Sequence, residues 1–205
     1  MTTMPAIDHI NMNRLLSLDE FTPLLNRTEL SRLEREFPGF PVLHTEFEIS
    51  EPFNQYLLSK KARRGEVVFA LQNPDLKILL HTKPQFPDGL YRLLTGGIDR
   101  DEPVLDALKR EVYEETGFKT KGYKFKGIVA ALLSCGHDIH PFLSYTFVVP
   151  VNGEPHVMDK SENISGFKWA SRAELDRVYK QLIHLQQWPD WGLLRSLPHL
   201  LLVDV

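Results

Sequence analysis

The sequence predicts a mixed α/β domain over about residues 65–205, preceded by a mainly helical N-terminal segment, residues 1–64. Three observations carry this. β-Branched apolar runs recur in short blocks after Glu66. Two helical patterns with recognisable start and stop residues fall between those blocks. The elements run strands, helix, strands, helix, an order that places helices against a sheet.

In the N-terminal segment, "SLDEF" offers a capping box, Ser17 with Glu20. "RTELSRLEREFPGF" reads as a helix begun by Thr28 and stopped at Pro38-Gly39. "HTEFEIS" alternates as a strand does. "SEPFNQYLLSKKARRG" reads as a helix with Ser50 as cap, Pro52 in the first turn and Gly65 as stop. Its cations Lys60, Lys61, Arg63 and Arg64 suit a solvated C-terminal turn; meeting phosphates is the alternative.

From Glu66 the pattern changes. "EVVFALQ" and "LKILLHTK", joined by the turn signal "NPD", predict a hairpin-like pair. "GLYRLLTGG" predicts a third strand ending on glycines. A helix follows from Glu102 to Thr116, closed by Gly117. "KGYKFKGIVAALLS" and "PFLSYTFVVPV" are two longer strands and "GFKWAS" a short one. "SRAELDRVYKQLIHLQQ" is a helix with Ser171 and Glu174 as a capping box. The tail reads as a helix and a final apolar segment.

Composition bounds the function. Of 205 residues, 42% are hydrophobic and 25% charged, which is enough for one sizeable core. Net charge is -3 and the pI about 6.2, so no polyanion-binding surface is indicated and a nucleic-acid polymer is not the expected partner. The lone Cys135 excludes an internal disulfide and a cysteine zinc site, fits a reducing compartment, and carries no arrangement that would activate a nucleophile. No basic-then-apolar leader opens the chain and no run approaches 18 apolar residues, so a cytoplasmic protein without membrane contact is expected.

The central helix carries the chemistry. At about 100° per residue, Val104, Leu105, Leu108 and Val112 form its core face. Glu111 and Glu114 are placed on the flank and Glu115 close to the apolar stripe. Spacings of three and four bring the three carboxylates together, at the helix end whose dipole disfavours them. Like charges at a core margin are costly unless a cation neutralises them. Oxygen-only ligands point to Mg²⁺ or Mn²⁺ rather than zinc. Arg110, four residues before Glu114, is placed to hold it. A solvated charged face with an Arg110–Glu114 pair is the plain alternative for these residues alone.

The longer pattern is more demanding. Gly96, Glu102, Arg110, Glu111, Val112, Glu114, Glu115, Gly117 and Phe118 satisfy Gly-x5-Glu-x7-Arg-Glu-U-x-Glu-Glu-x-Gly-U, U being bulky and apolar. Such a match arises by chance less than roughly once in a million. The pattern is the Nudix box, and here the chain resembles the Nudix hydrolase family. The likeness extends, more weakly, over residues 65–185 through the strand order. It implies an α/β/α sandwich with a mixed sheet. One departure stands out: the spacing counts from Gly96, the first of the Gly-Gly pair, where many members count from the second. The loop to Glu102 is thus expected one residue short, leaving open whether the carbonyl of Thr95 or Gly96 reaches the metal.

The resemblance implies hydrolysis of a nucleoside diphosphate linked to another group, a small-molecule substrate, with Mg²⁺ or Mn²⁺. Glu111, Glu114 and Glu115 would be metal ligands, with Glu102 and the Gly96 carbonyl as further ones. Arg110 would orient the glutamates. The base would be Glu111 or an acid of "MDKSENIS", where Glu162 is preferred to Asp159. His137 and His140 in "SCGHDIHPF" are candidates to bind a phosphate or donate a proton, with Asp138 to orient one; a polar turn between strands is the preferred reading. Phe86, Tyr91, Tyr123 and Trp191 are candidates to stack on a base. Subfamily marks are missing: no proline lies near 16 residues past Gly117, and there is no "SQPWPFPxS". For residues 1–64 the resemblance offers a homodimer arm, a lid on the cleft, or padding of the core. A Nudix-fold binding or regulatory module without turnover is the alternative, and it would be expected to lack glutamates of the box.

Overall fold

A computed structural model describes residues 18–59 and 63–203. Ser17, half of the expected N-terminal capping box, and the cations Lys60 and Lys61 lie outside the described residues. Seven strands form one mixed sheet: β1 (Val42–Glu48), β2 (Arg63–Gln72), β3 (Ile78–Thr82), β4 (Arg92–Asp99), β5 (Lys124–Cys135), β6 (Asp138–Pro150) and β7 (Gly166–Ala170). Their order across the sheet is β1-β5-β6-β2-β4-β3-β7. β1–β5 and β2–β6 are parallel and the other pairs antiparallel.

Among the described residues, five α-helices cover the sheet: α1 (Arg27–Glu36), α2 (Glu51–Leu58), α3 (Val104–Thr116), α4 (Arg172–Ile183) and α5 (Pro189–Ser196). The strand period of two divides the layers. Val67, Phe69 and Leu71 of β2 pack with Val104, Leu108 and Val112 of α3 and with Leu33 of α1. Val68 and Ala70, from the same strand, pack on the other face with Leu175, Val178 and Leu182 of α4. Leu194 of α5 and Phe53 beyond β1 cover Val129 and Ala131 of β5 on that face. The result is the α/β/α sandwich with a mixed sheet, and β2, buried on both sides, reads as an unbroken apolar run for that reason.

The expected β2–β3 hairpin is largely undone. The two strands meet only at Gln72↔Ile78. β4 lies between them, taking β2 from Arg63↔Asp99 to Phe69↔Leu94, while β6 occupies the other edge of β2. A local turn signal fixes the chain reversal but not which strand fills the gap. β1, read in sequence as part of an N-terminal extension, is the outer strand of the same sheet, paired with β5 over Val42↔Ile128 to Glu48↔Ser134.

Helix ends also shift. Asn26, not Thr28, caps α1, accepting hydrogen bonds from the amides of Thr28 and Glu29 at 3.1 and 3.2 Å. α2 ends at Leu58, and Gly65 sits inside β2, where an added Cβ would meet the Leu143 carbonyl at 2.8 Å. The Ser171–Glu174 capping box is present as expected. Gly117 closes α3 in the left-handed conformation, φ 71°.

Candidate active site

α3 and the end of β4 build the site. β4 delivers Gly96 and Gly97 against α3, and the side chain of Glu111 fills the space where a Cβ on Gly96 would stand. Glu111 is 4% exposed and Glu115 wholly buried, so both lie on the inward face of α3; Glu111 is not on its flank. At -20° from Val104 on the wheel it sits just outside the stripe from Val104 to Leu105, and buried Ala107, at -60°, extends the core face past it. Glu114 is half-buried beside them.

Arg110 gathers the acids of the box. Its guanidinium donates to Glu102 Oε1 and Oε2 at 2.8 Å each, to Glu111 Oε1 at 2.7 Å, to Glu114 Oε2 at 3.0 Å and to the Gly97 carbonyl at 2.9 Å. Hydrogen bonding to Glu102 first, then to Glu111, holds the Arg110 proton more tightly than usual. In return, Arg110 keeps the Glu102 carboxyl below its ordinary range.

Glu115 is different. Both of its oxygens are buried without a hydrogen-bond partner. Lys83 Nζ, at the end of β3, stands 4.0 Å from Oε1. Desolvation pushes the Glu115 carboxyl well up despite the fields of Lys83 and Arg92, and Glu162 and Glu111 push it the same way. Burial likewise raises Glu111, against Arg110. Two acids raised by burial side by side are the signature of a site awaiting positive charge. Among the described residues no three acidic, histidine or cysteine side chains already stand together as a cage. The donor set nonetheless suits a hard cation: it is all oxygen, and the most buried carboxylate has no hydrogen bond to either oxygen.

Glu162 reaches this site from a 3₁₀ turn, Lys160–Glu162. The loop before it is tied to α3: the amides of Met158 and Asp159 both donate to the Glu114 carbonyl, at 3.0 and 2.9 Å, using an acceptor left open at the helix end. Asp159 caps the turn through Ser161 N, 2.8 Å. Glu162 accepts from Lys83 Nζ at 3.1 Å and lines the cleft.

The cleft, about 740 Å³, runs from Thr95, Gly96, Gly97 and Glu111 toward an aromatic wall. That wall is Phe53 and Tyr56 of α2, Phe86, and Trp188 with Trp191 at the start of α5. Arg92 lies between Phe86 and Trp191, its guanidinium carbon 5.4 and 5.6 Å from their ring centres. Arg195, ion-paired to Glu66, lines the cleft with it.

The sequence-predicted residues divide cleanly. Arg110, Glu111, Glu114, Glu115 and Glu102 are gathered on or beside α3, Gly96 faces Glu111, and Glu162 joins them. Phe86 and Trp191 line the cleft, whereas Tyr123 packs against Phe37 and Phe147 in the core. His137 sits in the β5–β6 turn and His140 Nε2 lies 2.5 Å from Asn54 Oδ1; neither lines the cleft. Arg63 lines the cleft, while Arg64 turns inward to Glu29 at 2.8 Å. Sequence reasoning missed Lys83, Arg92, Arg195 and Trp188. Isolated cations carry no spacing signal; "WPDW" could have been flagged by its aromatic density alone.

The family model for the NUDIX domain matches residues 61–191. The NAD-capped RNA hydrolase NUDT12 of Homo sapiens is 41% identical over 54 residues, which is 26% of this chain, and the match spans only 12% of that relative's length. The MutT protein from Methanosarcina mazei Go1 superposes with a TM-score of 0.45 at 17% identity, over 66% of this chain and 90% of that one. A NUDIX hydrolase from Nitrosomonas europaea gives 0.46 at 23% identity, over 66% and 86%.

Proposed function

The chain belongs to the Nudix hydrolase family, and from that premise we propose that it hydrolyses the diphosphate bond of a small nucleoside diphosphate derivative with Mg²⁺ or Mn²⁺. The observation that carries this reading is Glu115, fully buried with neither carboxylate oxygen hydrogen-bonded, on the helix whose Glu111 lines the 740 Å³ cleft. Such a carboxylate is costly in the bare protein and is satisfied by a cation.

Glu111, Glu114 and Glu115 would hold the ion, with Glu102 and the Gly96 carbonyl as further ligands. When bound, the ion offsets the charge of the diphosphate oxygens and lowers the pKa of water. Arg110 fixes the carboxylates of Glu102, Glu111 and Glu114 in one arrangement. Glu162 takes the proton of the attacking water, and Lys83 holds its carboxylate toward the cleft at 3.1 Å. The aromatic wall receives the nucleoside, excluding water from one side of the reacting group. A cytoplasmic location goes with this reading, since the lone Cys135 suits a reducing compartment. Among the described residues no helix is long and apolar enough to cross a membrane.

The test is phosphate release from a panel of nucleoside diphosphate derivatives, dinucleotides of the NAD type included, with and without Mg²⁺ or Mn²⁺. Turnover should require the metal and fall about 10²–10³-fold in Glu114→Gln and Glu115→Gln. Tight binding of a panel member without release under any metal would instead make the chain a binding module.

A further inference from the structure

Four cations line the cleft and a fifth, Arg110, lies behind it; they differ in how they are neutralised. Lys83 is paired with Glu162 and Glu115, and Arg195 with Glu66. Arg63 is exposed and solvated. Arg110, behind the glutamates, is saturated with carboxylates. Arg92 alone combines burial, at 6% exposure, with the lack of any carboxylate within 4 Å among the described residues.

Its hydrogen bonds go to neutral acceptors only. Nη1 donates to the Leu93 carbonyl at 2.7 Å and to Thr95 Oγ1 at 3.0 Å, and Nε is buried with no partner. The rings of Phe86 and Trp191 flank the guanidinium and fix its plane. Thr95, the residue before Gly96, ties that plane to the strand end that packs on Glu111. Burying a guanidinium whose nearest carboxylates, Glu115 and Glu66, act on it only from beyond 4 Å is costly. A ligand anion removes that cost, and a planar fork held by rings is shaped for phosphate oxygens.

We propose that Arg92 is a metal-independent anion anchor that grips the phosphate oxygens of the substrate's diphosphate group beside the carboxylates. The inference rests on reading this cleft as a diphosphate site. Arg92 is thereby a substrate-binding residue, placed by Thr95, Phe86 and Trp191.

Inorganic pyrophosphate titrated into the full chain in EDTA, followed by calorimetry, reads this site without the metal. The wild type should bind, more weakly as salt rises. Arg92→Met should weaken binding about 10-fold or more, and Arg92→Lys, which keeps the charge but not the fork, by less. Lys109→Met, on the exposed side of α3, should bind as the wild type does. Failure of the wild type to bind, or equal binding by Arg92→Met, overturns the inference. Should Arg92→Met not fold, the Arg92 Nε resonance of the wild type, assigned against Arg92→Lys, must move on adding pyrophosphate; a fixed resonance overturns it too. Metal-free binding kept in a chain that shows no turnover would sink the hydrolase and leave this anchor standing, whereas turnover with an inert Arg92 would do the reverse.

Discussion

Glu29 Oε1 accepts the amide hydrogen of Val104 at 2.7 Å. α3 begins after Pro103, which has no side-chain oxygen to cap it. A residue 75 positions earlier, on α1, therefore supplies the acceptor that the first turn lacks and adds negative charge at the positive end of the helix dipole. The other Glu29 oxygen binds buried Arg64, whose Nε donates to the Glu102 carbonyl at 3.2 Å. The N-terminal segment thus fixes both the start of the glutamate helix and the loop before it.

Replacing Glu29 by Ala should cost about 2–4 kcal/mol, from the lost cap and from leaving Arg64 unpaired. Glu29→Gln, which retains a carbonyl oxygen for Val104, should recover about 1 kcal/mol of that. Urea unfolding of the two variants against the wild type decides it; equal stabilities would show that the cap contributes nothing.

Glu115 makes the opposite prediction. Its carboxyl is raised in the folded chain, so between the unfolded pKa and the raised one the native state holds a proton that the unfolded state has lost. Stability due to this group is present below pH 4.5 and falls as pH rises through the folded pKa. In EDTA at pH 8, Glu115→Gln should therefore be more stable than the wild type, by about 1 kcal/mol or more, with the gain shrinking toward pH 4.5. Adding Mg²⁺ should stabilise the wild type and leave the variant unmoved. Thermal melts at the two pH values, with and without metal, measure both effects.

What the sequence could show follows from which constraints are local. The box was legible because its chemistry needs fixed offsets along one helix, and Arg110 with its acids obeys them. Ser171 and Glu174 were legible for the same reason, as a cap is a three-residue affair. β4 between β2 and β3 was not, because strand partnership is chosen by the whole sheet. Glu29, Lys83 and Arg92 were not either: each acts on a residue far along the chain, and an isolated charge in a helix or strand has no period to betray it. Glu111 reads as a flank residue while the core face is drawn through Val104, Leu105, Leu108 and Val112 alone, and the small buried Ala107 carries that face past it.

His199 should govern acid sensitivity away from the cleft. It is buried in the C-terminal 3₁₀ helix with Nε2 unpartnered, and burial, aided by Arg172, lowers its pKa to about 4. Between pH 6.5 and about 4 the unfolded chain takes up a proton that the folded chain refuses, so stability is present above 6.5 and lost as pH falls. A shift from 6.5 to about 4 amounts to about 3 kcal/mol across that window. His199→Leu should flatten this part of the stability–pH curve. A slope unchanged by the substitution would assign it to another group, with buried His81, also held well below its usual value by desolvation, the next to replace.

Gly96 sets the placement of Glu111. A methyl group there would overlap the Glu111 side chain, and β4 cannot retreat, because Val67↔Gly96 and Glu66↔Gly97 fix it to β2. The flexible carboxylate must therefore yield. Gly96→Ala should displace Glu111 from Cγ outward and lose about 10²-fold in kcat, as a shift of about 1 Å in a positioned group can cost. Because Arg110 holds Glu111 at 2.7 Å, the displacement should pass to that bond as well. A crystal structure of the variant would show Glu111 turned from its inward rotamer, and wild-type kcat with Glu111 displaced would remove this carboxylate from the chemistry.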